Sequence, residues 1–370
     1  MDDAAQAPLA PLEPLSEGEF APWFSAPTPS NQNYHFSTLG GFYVLLGFLP
    51  DDPAARARAL AGVEAHRPLF DDRKLTGFLV IRDAASIAAA REGPAGLRWF
   101  FDPEGTVSRL YGALDGQARD NPFWLLLDPT LRVLAKAPVG ADADLFARLA
   151  ALPPKAEHAG APLYAPVLIA PRVFEPEMCR RLIAIYEADG GTPSGVMRDV
   201  GGKTVGVLDG FKRRRDVTIA DEELKRQLVA RLNRRLLPEI KRVFQFDATR
   251  LERYIVACYD AADGGYFRPH RDNETFATAH RRFAVSINLN AEDFEGGDLR
   301  FPEFGPRTYR PPTGGAVVFA CSIQHEATPV TRGRRYAFLP FLYDETGGRI
   351  RDQNRHLLQP DATVGVEPGR

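Results

Sequence analysis

Between Leu152 and Pro166 the run LPPKAEHAGAPLYAP sets four prolines among small and polar residues, and the hydrophobic pattern differs on its two sides. Proline fixes φ and lacks an N–H, so such a stretch ends the preceding helix and reads as a linker. Upstream, β-rich apolar runs at 42–49, 77–82, 123–127 and 132–137 alternate with helical patterns after Pro53, at 84–91 and at 143–152. That alternation predicts an α/β layer structure. Downstream, a helix opens at Pro176 and stops near Gly190, and a second opens near Asp221 and runs to Pro238 with Leu224, Leu228, Leu232 and Leu236 at helical spacing. After them the chain reads as short strands at 253–259, 283–290, 298–301, 316–321 and 336–342, separated by Gly, Pro and Asp turns. Strands of that length and spacing predict a sandwich or jelly roll. The 370 residues therefore divide into two units of different class.

Composition narrows the function classes. Hydrophobic residues make up 44% and charged residues 25%, with a net charge of -2, which leaves no global basic field for nucleic acid. The three cysteines, Cys179, Cys258 and Cys321, all follow the linker and form no Cys-x-x-Cys pair. They read as small buried hydrophobes rather than a disulfide framework or zinc site. The acidic, proline-broken start MDDAAQAPLAPLEPLSEGEF has no basic or apolar signal region, and the longest apolar runs are too short for a bilayer, so a cytoplasmic protein without membrane association is expected.

One pair carries metal chemistry. Redox iron needs few enough protein ligands to leave adjacent positions open, and two imidazoles plus one carboxylate on one face meet that need. On a strand, residues i and i+2 point the same way, so a His-x-Asp places two ligands together. His270-Arg271-Asp272 is the only such pair here. Seven histidines in so Asp-rich a chain would give about half such a pair by chance, so its surroundings carry the argument. Upstream, Arg253-Tyr-Ile-Val-Ala-Cys-Tyr259 leads through a glycine turn into the pair; downstream, His325 is followed ten residues later by Arg335. If the chain turns back at 331–333, position 335 pairs near 329, about 13 Å of strand from His325. Arg335 could then hold the far carboxylate of a dicarboxylic acid whose other end chelates the metal.

With these motifs in view, residues from about 163 to 345 resemble the prolyl 4-hydroxylase branch of the Fe(II)/2-oxoglutarate dioxygenases. The run Val256-Ala-Cys-Tyr259 to His270-Arg-Asp-Asn273 is particularly similar to the hypoxia-sensing prolyl hydroxylases. The resemblance implies a double-stranded β-helix (jelly roll) with flanking helices, iron on His270, Asp272 and His325, and 2-oxoglutarate held by Arg335 and Tyr259. A second cosubstrate-binding tyrosine of the oxygen-sensing members falls on Asn288, where this sequence departs from the pattern. It also implies O2-dependent decarboxylation of 2-oxoglutarate to succinate and CO2 with hydroxylation of a C–H bond, ascorbate as reductant, and a protein or peptide substrate, plausibly at proline. A free small-molecule substrate stays open. Nucleic-acid demethylases carry a second arginine six residues after the cosubstrate arginine, and Phe341 stands there, which argues against that class.

The first half resembles the peroxiredoxin branch of the thioredoxin fold, through Gly40-Gly-Phe-Tyr-Val-Leu-Leu-Gly-Phe-Leu-Pro50, Phe101-Asp-Pro-Glu-Gly, Leu110-Tyr-Gly and Trp124-Leu-Leu-Leu-Asp128-Pro. That family's threonine and peroxidatic cysteine fall at about Ala54 and Ala57. Without a thiolate the domain cannot reduce peroxide, and a scaffold or partner-binding role is expected. The resulting division is an acidic Pro-rich tail at 1–16, a Cys-less peroxiredoxin-like thioredoxin-fold domain at 17–153, a linker at 154–163, the dioxygenase domain at 164–346 and a C-terminal tail at 347–370. Lys212-Arg-Arg-Arg215 reads as a solvated charge cluster, and the glycine- and charge-rich stretch 190–215 as a mobile lid. His35, His66, His158, His280 and His356 sit in no ligand spacing and read as surface or packing residues.

Overall fold

The computed structural model describes residues 15–91 and 95–365. Most of the expected N-terminal tail and the last five residues lie outside them. The chain divides into two units, one reaching Tyr164 and taking in Pro302–Gly305, the other comprising Ala165–Phe301 and the residues from Pro306 onward.

The first unit is built on β1 (Tyr43–Phe48), whose six residues are all buried. A strand apolar on both faces must be covered on both. α1 (Pro53–Ala65) follows, with Asp52 accepting from the Ala55 N–H at 2.7 Å and Pro53 in its first turn. Then come β2 (Leu75–Ile81), α2 (Ala84–Ala89), β3 (Leu97–Phe101), α3 (Thr106–Leu110), β4 (Phe123–Leu127), β5 (Val133–Pro138) and α4 (Ala143–Ala150). The sheet order is β3-β2-β1-β4-β5, with the first three strands parallel and the last two antiparallel. This is a thioredoxin-like topology, with an apolar cluster on each face of the sheet. Strand β3 was missed in the sequence because Arg98 interrupts its apolar run; the charge is carried by Asp72 at 2.7 Å. Ala54 and Ala57 are exposed on α1, so no sulfur stands where a thiol nucleophile would.

The second unit opens with β6 (Leu168–Ala170) and α5 (Pro176–Asp189). The stretch expected to be a lid contains β7 (Thr192–Pro193), a hairpin of β8 (Val196–Val200) and β9 (Lys203–Leu208), β10 (Lys212–Arg213) and the start of β11 (Arg215–Thr218). α6 (Glu222–Arg235) is capped by Asp221, and Pro238 stands in the first turn of a new helix, α7 (Leu237–Phe244). The strands that follow are β12 (Arg250–Glu252), β13 (Ile255–Asp260), β14 (Tyr266–His270), β15 (Phe283–Asn288), β16 (Leu299–Arg300), β17 (Thr308–Tyr309), β18 (Ala316–Ala320), β19 (His325–Ala327), β20 (Val330–Arg332), β21 (Arg334–Phe338) and β22 (Phe341–Tyr343). The chain then continues through α8 (Glu345–Asn354) to β23 (Leu358–Gly365), which pairs with β9, so the segment expected to be a tail is structured to residue 365. No helix among the described residues is long and apolar enough to cross a membrane.

Two sheets form the jelly roll. The larger has the order β12-β22-β15-β21-β13-β11-β7, with β18 added beside β15 and β6 beside β18; the smaller is β10-β14-β19-β16-β17. Helices α5 and α6 bury Met178, Leu182, Tyr186, Leu224, Leu228 and Leu232 in the core that backs the larger sheet. Period-2 alternation also corrects the solvated reading of 212–215: Lys212 and Arg214 are buried, whereas Arg213 and Arg215 are exposed.

The expected hairpin after His325 is not formed. Arg335 pairs with Tyr259 across β13 rather than with a position near 329, and β20 pairs with Glu295–Gly296. The chain changes sheets at Gly333, whose φ is +74° and whose missing Cβ would lie 2.5 Å from the Asp293 carbonyl oxygen. Gly333→Ala should therefore cost about 2 kcal/mol or more, read as a shift in the denaturant midpoint; unchanged stability would contradict this account of the crossover.

Candidate active site

The smaller sheet presents the metal-ligating candidates. β14 ends at His270, which pairs with His325 of β19, and Asp272 follows two residues later with its N–H donating to the Cys321 carbonyl at 2.9 Å. One ligand atom from each of His270, Asp272 and His325 lies within 4.8 Å of the others. Asp272 reaches both rings, at 3.6 Å from His270 Nε2 and 3.2 Å from His325 Nε2.

The ring orientations are fixed by the backbone. His270 Nδ1 faces the Arg268 carbonyl at 2.8 Å and His325 Nδ1 faces the Ile323 carbonyl at 3.1 Å. A carbonyl only accepts, so each Nδ1 donates and each Nε2 lone pair is left toward Asp272 and the gap between the rings. Phe267 stacks on His270 with centroids 3.4 Å apart, and Phe319 packs against His325 at 4.5 Å. Burial and the neighbouring His325 push His270 down to about 4, which keeps its imidazole neutral. Burial opposes charge on Asp272, but His325 and His270 outweigh it and hold the carboxyl well below its usual range. Two imidazoles and a carboxylate converging from one side are a donor set that fits Fe(II).

The larger sheet supplies the opposite wall. Arg335 is 3% exposed; it donates through Nη1 to the Gly297 carbonyl at 2.7 Å and through Nη2 to Ser286 Oγ at 2.9 Å. Gly297 permits this approach, since a Cβ there would lie 3.3 Å from Arg335 Cδ and 2.8 Å from Val330. Arg335 Nε is buried and has no hydrogen-bond partner among the described residues. A buried donor left open in this way fits an incoming carboxylate. Tyr259 stands against it, its ring 5.3 Å from the Arg335 guanidinium and its hydroxyl accepting from Arg214 Nη1 at 3.3 Å.

Both walls face one cavity of about 60 Å³, lined by the three ligand candidates, Tyr259, Arg335 and Ser286 among others. Asn288 is not one of its lining residues. Its side-chain amide donates to the Pro311 carbonyl at 2.8 Å, and Ser286, one turn of the pleat earlier on β15, stands at the arginine instead. Asn288, a candidate for 2-oxoglutarate, thus bonds Pro311, and the hydroxyl beside Arg335 is that of Ser286, which the sequence does not single out. Arg214 and Arg253 also line the cavity and were not singled out. Strand alternation was a signal for Arg214, whereas Arg253 precedes β13 and parity on that strand does not reach it. His280 is buried, and its Nε2 bonds Glu252 at 2.9 Å, a packing role away from the triad.

Residues 254–343 match the model of the 2OG-Fe(II) oxygenase superfamily. A PKHD-type hydroxylase of Synechococcus sp. (strain JA-2-3B'a(2-13)) is 28% identical over 156 residues, which cover 40% of this chain and 64% of that protein. Among solved structures, a Pseudomonas putida prolyl-4-hydroxylase is similar over 48% of this chain and 92% of its own, with 20% identity and a TM-score of 0.38. A putative thiol:disulfide interchange protein DsbE from Chlorobium tepidum is similar over 37% of this chain and 96% of its own, with 22% identity and a TM-score of 0.29.

Proposed function

The second half of the chain carries a 2OG-Fe(II) oxygenase domain, and from that premise we propose that the protein is an Fe(II)- and 2-oxoglutarate-dependent hydroxylase acting on a C–H bond of a protein or peptide side chain, with proline the first candidate. One observation carries the reading: His270, Asp272 and His325 converge on one side of a cavity whose other side holds the buried, open Nε of Arg335. In this reading the domain runs over 164–346, and 17–153 serves as a scaffold or partner-binding unit.

Bound iron, with O2 and 2-oxoglutarate, supplies the oxidising chemistry, in which the cosubstrate is decarboxylated to succinate and CO2. The residues of this chain bind, orient and exclude water. His270 and His325 offer Nε2, their orientation set by the Arg268 and Ile323 carbonyls, and Asp272 offers the charge. Arg335 and Ser286 take the distal carboxylate of 2-oxoglutarate, and Tyr259 closes that end of the cavity. Phe267 and Phe319 pack against the two imidazoles and would shield those faces from water. Ascorbate would serve as reductant when turnover runs without substrate. Three free, buried cysteines suit a reducing, cytoplasmic setting.

The test is aerobic incubation of the full chain with Fe(II), 2-oxoglutarate, ascorbate and a library of proline-containing peptides, following succinate and peptide mass together. Succinate formation coupled to gain of one oxygen atom by a peptide is expected. Substrate-independent succinate with no oxidised peptide would move the proposal to a free small molecule, and no succinate would remove it.

A further inference from the structure

Three guanidinium groups line the metal cavity, those of Arg214, Arg253 and Arg335, and they differ in what neutralises them. Arg214 is 7% exposed and forks onto Asp216, with Nε 2.7 Å from Oδ1 and Nη2 2.7 Å from Oδ2. Arg335 is the residue assigned above to the distal carboxylate of 2-oxoglutarate. Arg253 is different. Its one polar contact among the described residues is Nη2 to Asp216 Oδ2 at 3.4 Å, and that oxygen already accepts from Arg214 and, at 2.7 Å, from Ser194 Oγ. A carboxylate oxygen shared three ways, with the longest contact to Arg253, leaves this cation without a carboxylate of its own.

The charge balance of the loaded site shows the surplus. A divalent iron is offset by Asp272 and by the metal-chelating carboxylate of 2-oxoglutarate, the histidines being neutral. Arg335 is offset by the distal carboxylate, and Arg214 by Asp216. The charge of Arg253 remains. Burial and the nearby Arg214 push it down to about 10, so it stays protonated at neutral pH. Its side chain is 28% exposed, and it is one of the residues that line the cavity. A cation whose one carboxylate contact is long and shared, at the wall of a largely buried cavity, favours an anion there.

Arg253 also sits away from the cosubstrate arginine. Tyr259 lies opposite Arg335 in antiparallel strands. Arg253 is six residues before Tyr259, and Phe341, whose ring is 5.3 Å from the Arg253 guanidinium, is six residues after Arg335. Arg253 thus stands beside Phe341, whereas Arg335 stands at Ser286 and Gly297. The backbone at Arg253 has φ +66°, a conformation non-glycine residues adopt rarely, and it breaks the path from β12 to β13 at that residue.

We propose that Arg253 is a specificity residue that receives a carboxylate of the hydroxylated substrate, carried either on an acidic side chain beside the target residue of a peptide or on a free amino acid. This rests on the oxygenase reading above and adds a substrate class to it. A substrate neutral around the target position leaves the cation unpaired; an acidic one completes the charge balance.

The test uses the full chain with Fe(II) and 2-oxoglutarate held anaerobically, so that binding is read without turnover. Dissociation constants are measured by anisotropy for labelled proline hexapeptides carrying Glu or Gln at the neighbouring positions, and by calorimetry for free glutamate against glutamine. The carboxylate form should bind about tenfold or more tightly in at least one arm, and the arm in which it does so identifies the source. In Arg253→Gln the preference should fall below about twofold, with Arg253→Lys keeping part of it; Asp216 retains Arg214 in both variants, and thermal unfolding verifies that they fold. Equal affinities for carboxylate and amide probes in both arms would overturn the proposal. So would an Arg253→Gln variant that loses 2-oxoglutarate affinity while keeping the carboxylate preference, because the arginine would then belong to the cosubstrate. Absence of 2-oxoglutarate binding in the unmodified chain is a separate result that strikes the oxygenase reading itself.

Discussion

Asp272→Ala is expected to lower succinate formation at least a thousandfold, on the order of 4 kcal/mol in transition-state free energy, while the fold persists. The carboxylate is the single anionic ligand of the proposed triad, and it lies within reach of both imidazoles, 3.6 Å from His270 and 3.2 Å from His325. Without it two neutral rings remain, and neutral nitrogen donors alone hold a divalent ion far more weakly than the same pair with a carboxylate. The loss should appear first in iron stoichiometry after desalting and then in turnover. Stability should change little, because the main-chain bond from the Asp272 N–H to the Cys321 carbonyl does not involve the side chain. Removing the side chain also relieves a desolvated carboxylate. An iron-replete, active Asp272→Ala protein would mean that the cluster of residues has another purpose.

Arg335→Gln is the second change with a large expected effect, and it acts on the cosubstrate rather than on the metal. Removing the guanidinium eliminates the buried Nε that has no internal partner and the Nη2 that lies beside Ser286 Oγ. A charge-assisted pair in a site of this burial is worth about 3 kcal/mol, or a factor of ~100 or more in affinity. The dissociation constant for 2-oxoglutarate should therefore rise by at least that factor with iron binding intact. The effect on folding has two opposed parts. Gly297 and Ser286 lose a donor, but a buried cation is removed, and burial already pushes the Arg335 guanidinium below its ordinary pKa. Calorimetric titration of 2-oxoglutarate beside a thermal melt separates binding from stability. Equal affinity in the variant and the parent would remove Arg335 from the cosubstrate site.

How much of this was legible in the sequence depended on how local the cause was. The ligand pair at His270 and Asp272 was legible from its two-residue spacing, although Asp272 stands in the turn just past β14, and α5 and α6 follow from apolar spacing with Pro176 in the first turn of one and Asp221 capping the other. These are short-range patterns that no distant contact overrides. Arg335 was legible as a candidate, but its placement was not. A hairpin after His325 was the simplest local reading, and the chain instead crosses to the other sheet at Gly333, where the approach of Asp293 requires a residue without Cβ. Nothing within ten residues encodes that approach. Lys212 and Arg214 read as a solvated run because their burial depends on partners supplied by the fold: Ser194 and Gly195 for Lys212, and Asp216 and Tyr259 for Arg214. Ser286 stayed hidden for a related reason, since a serine in an apolar strand acquires meaning only when Arg335 arrives beside it.

The thioredoxin-like unit illustrates the reverse. Its sheet was largely readable from continuous apolar runs, and its lack of a nucleophile follows from composition, all three cysteines lying in the other unit. What it does for the oxygenase domain is not written in a motif.

The most direct measurement of the central claim is anaerobic addition of Fe(II) and then 2-oxoglutarate to the full chain, watching for the weak metal-to-ligand charge-transfer absorption that a chelated 2-keto acid gives on ferrous iron. The band is predicted to appear in the parent protein, to vanish on admitting oxygen as succinate forms, and to be absent in His270→Ala. No band in the parent, or an undiminished band in His270→Ala, would contradict the assignment of iron to His270, Asp272 and His325.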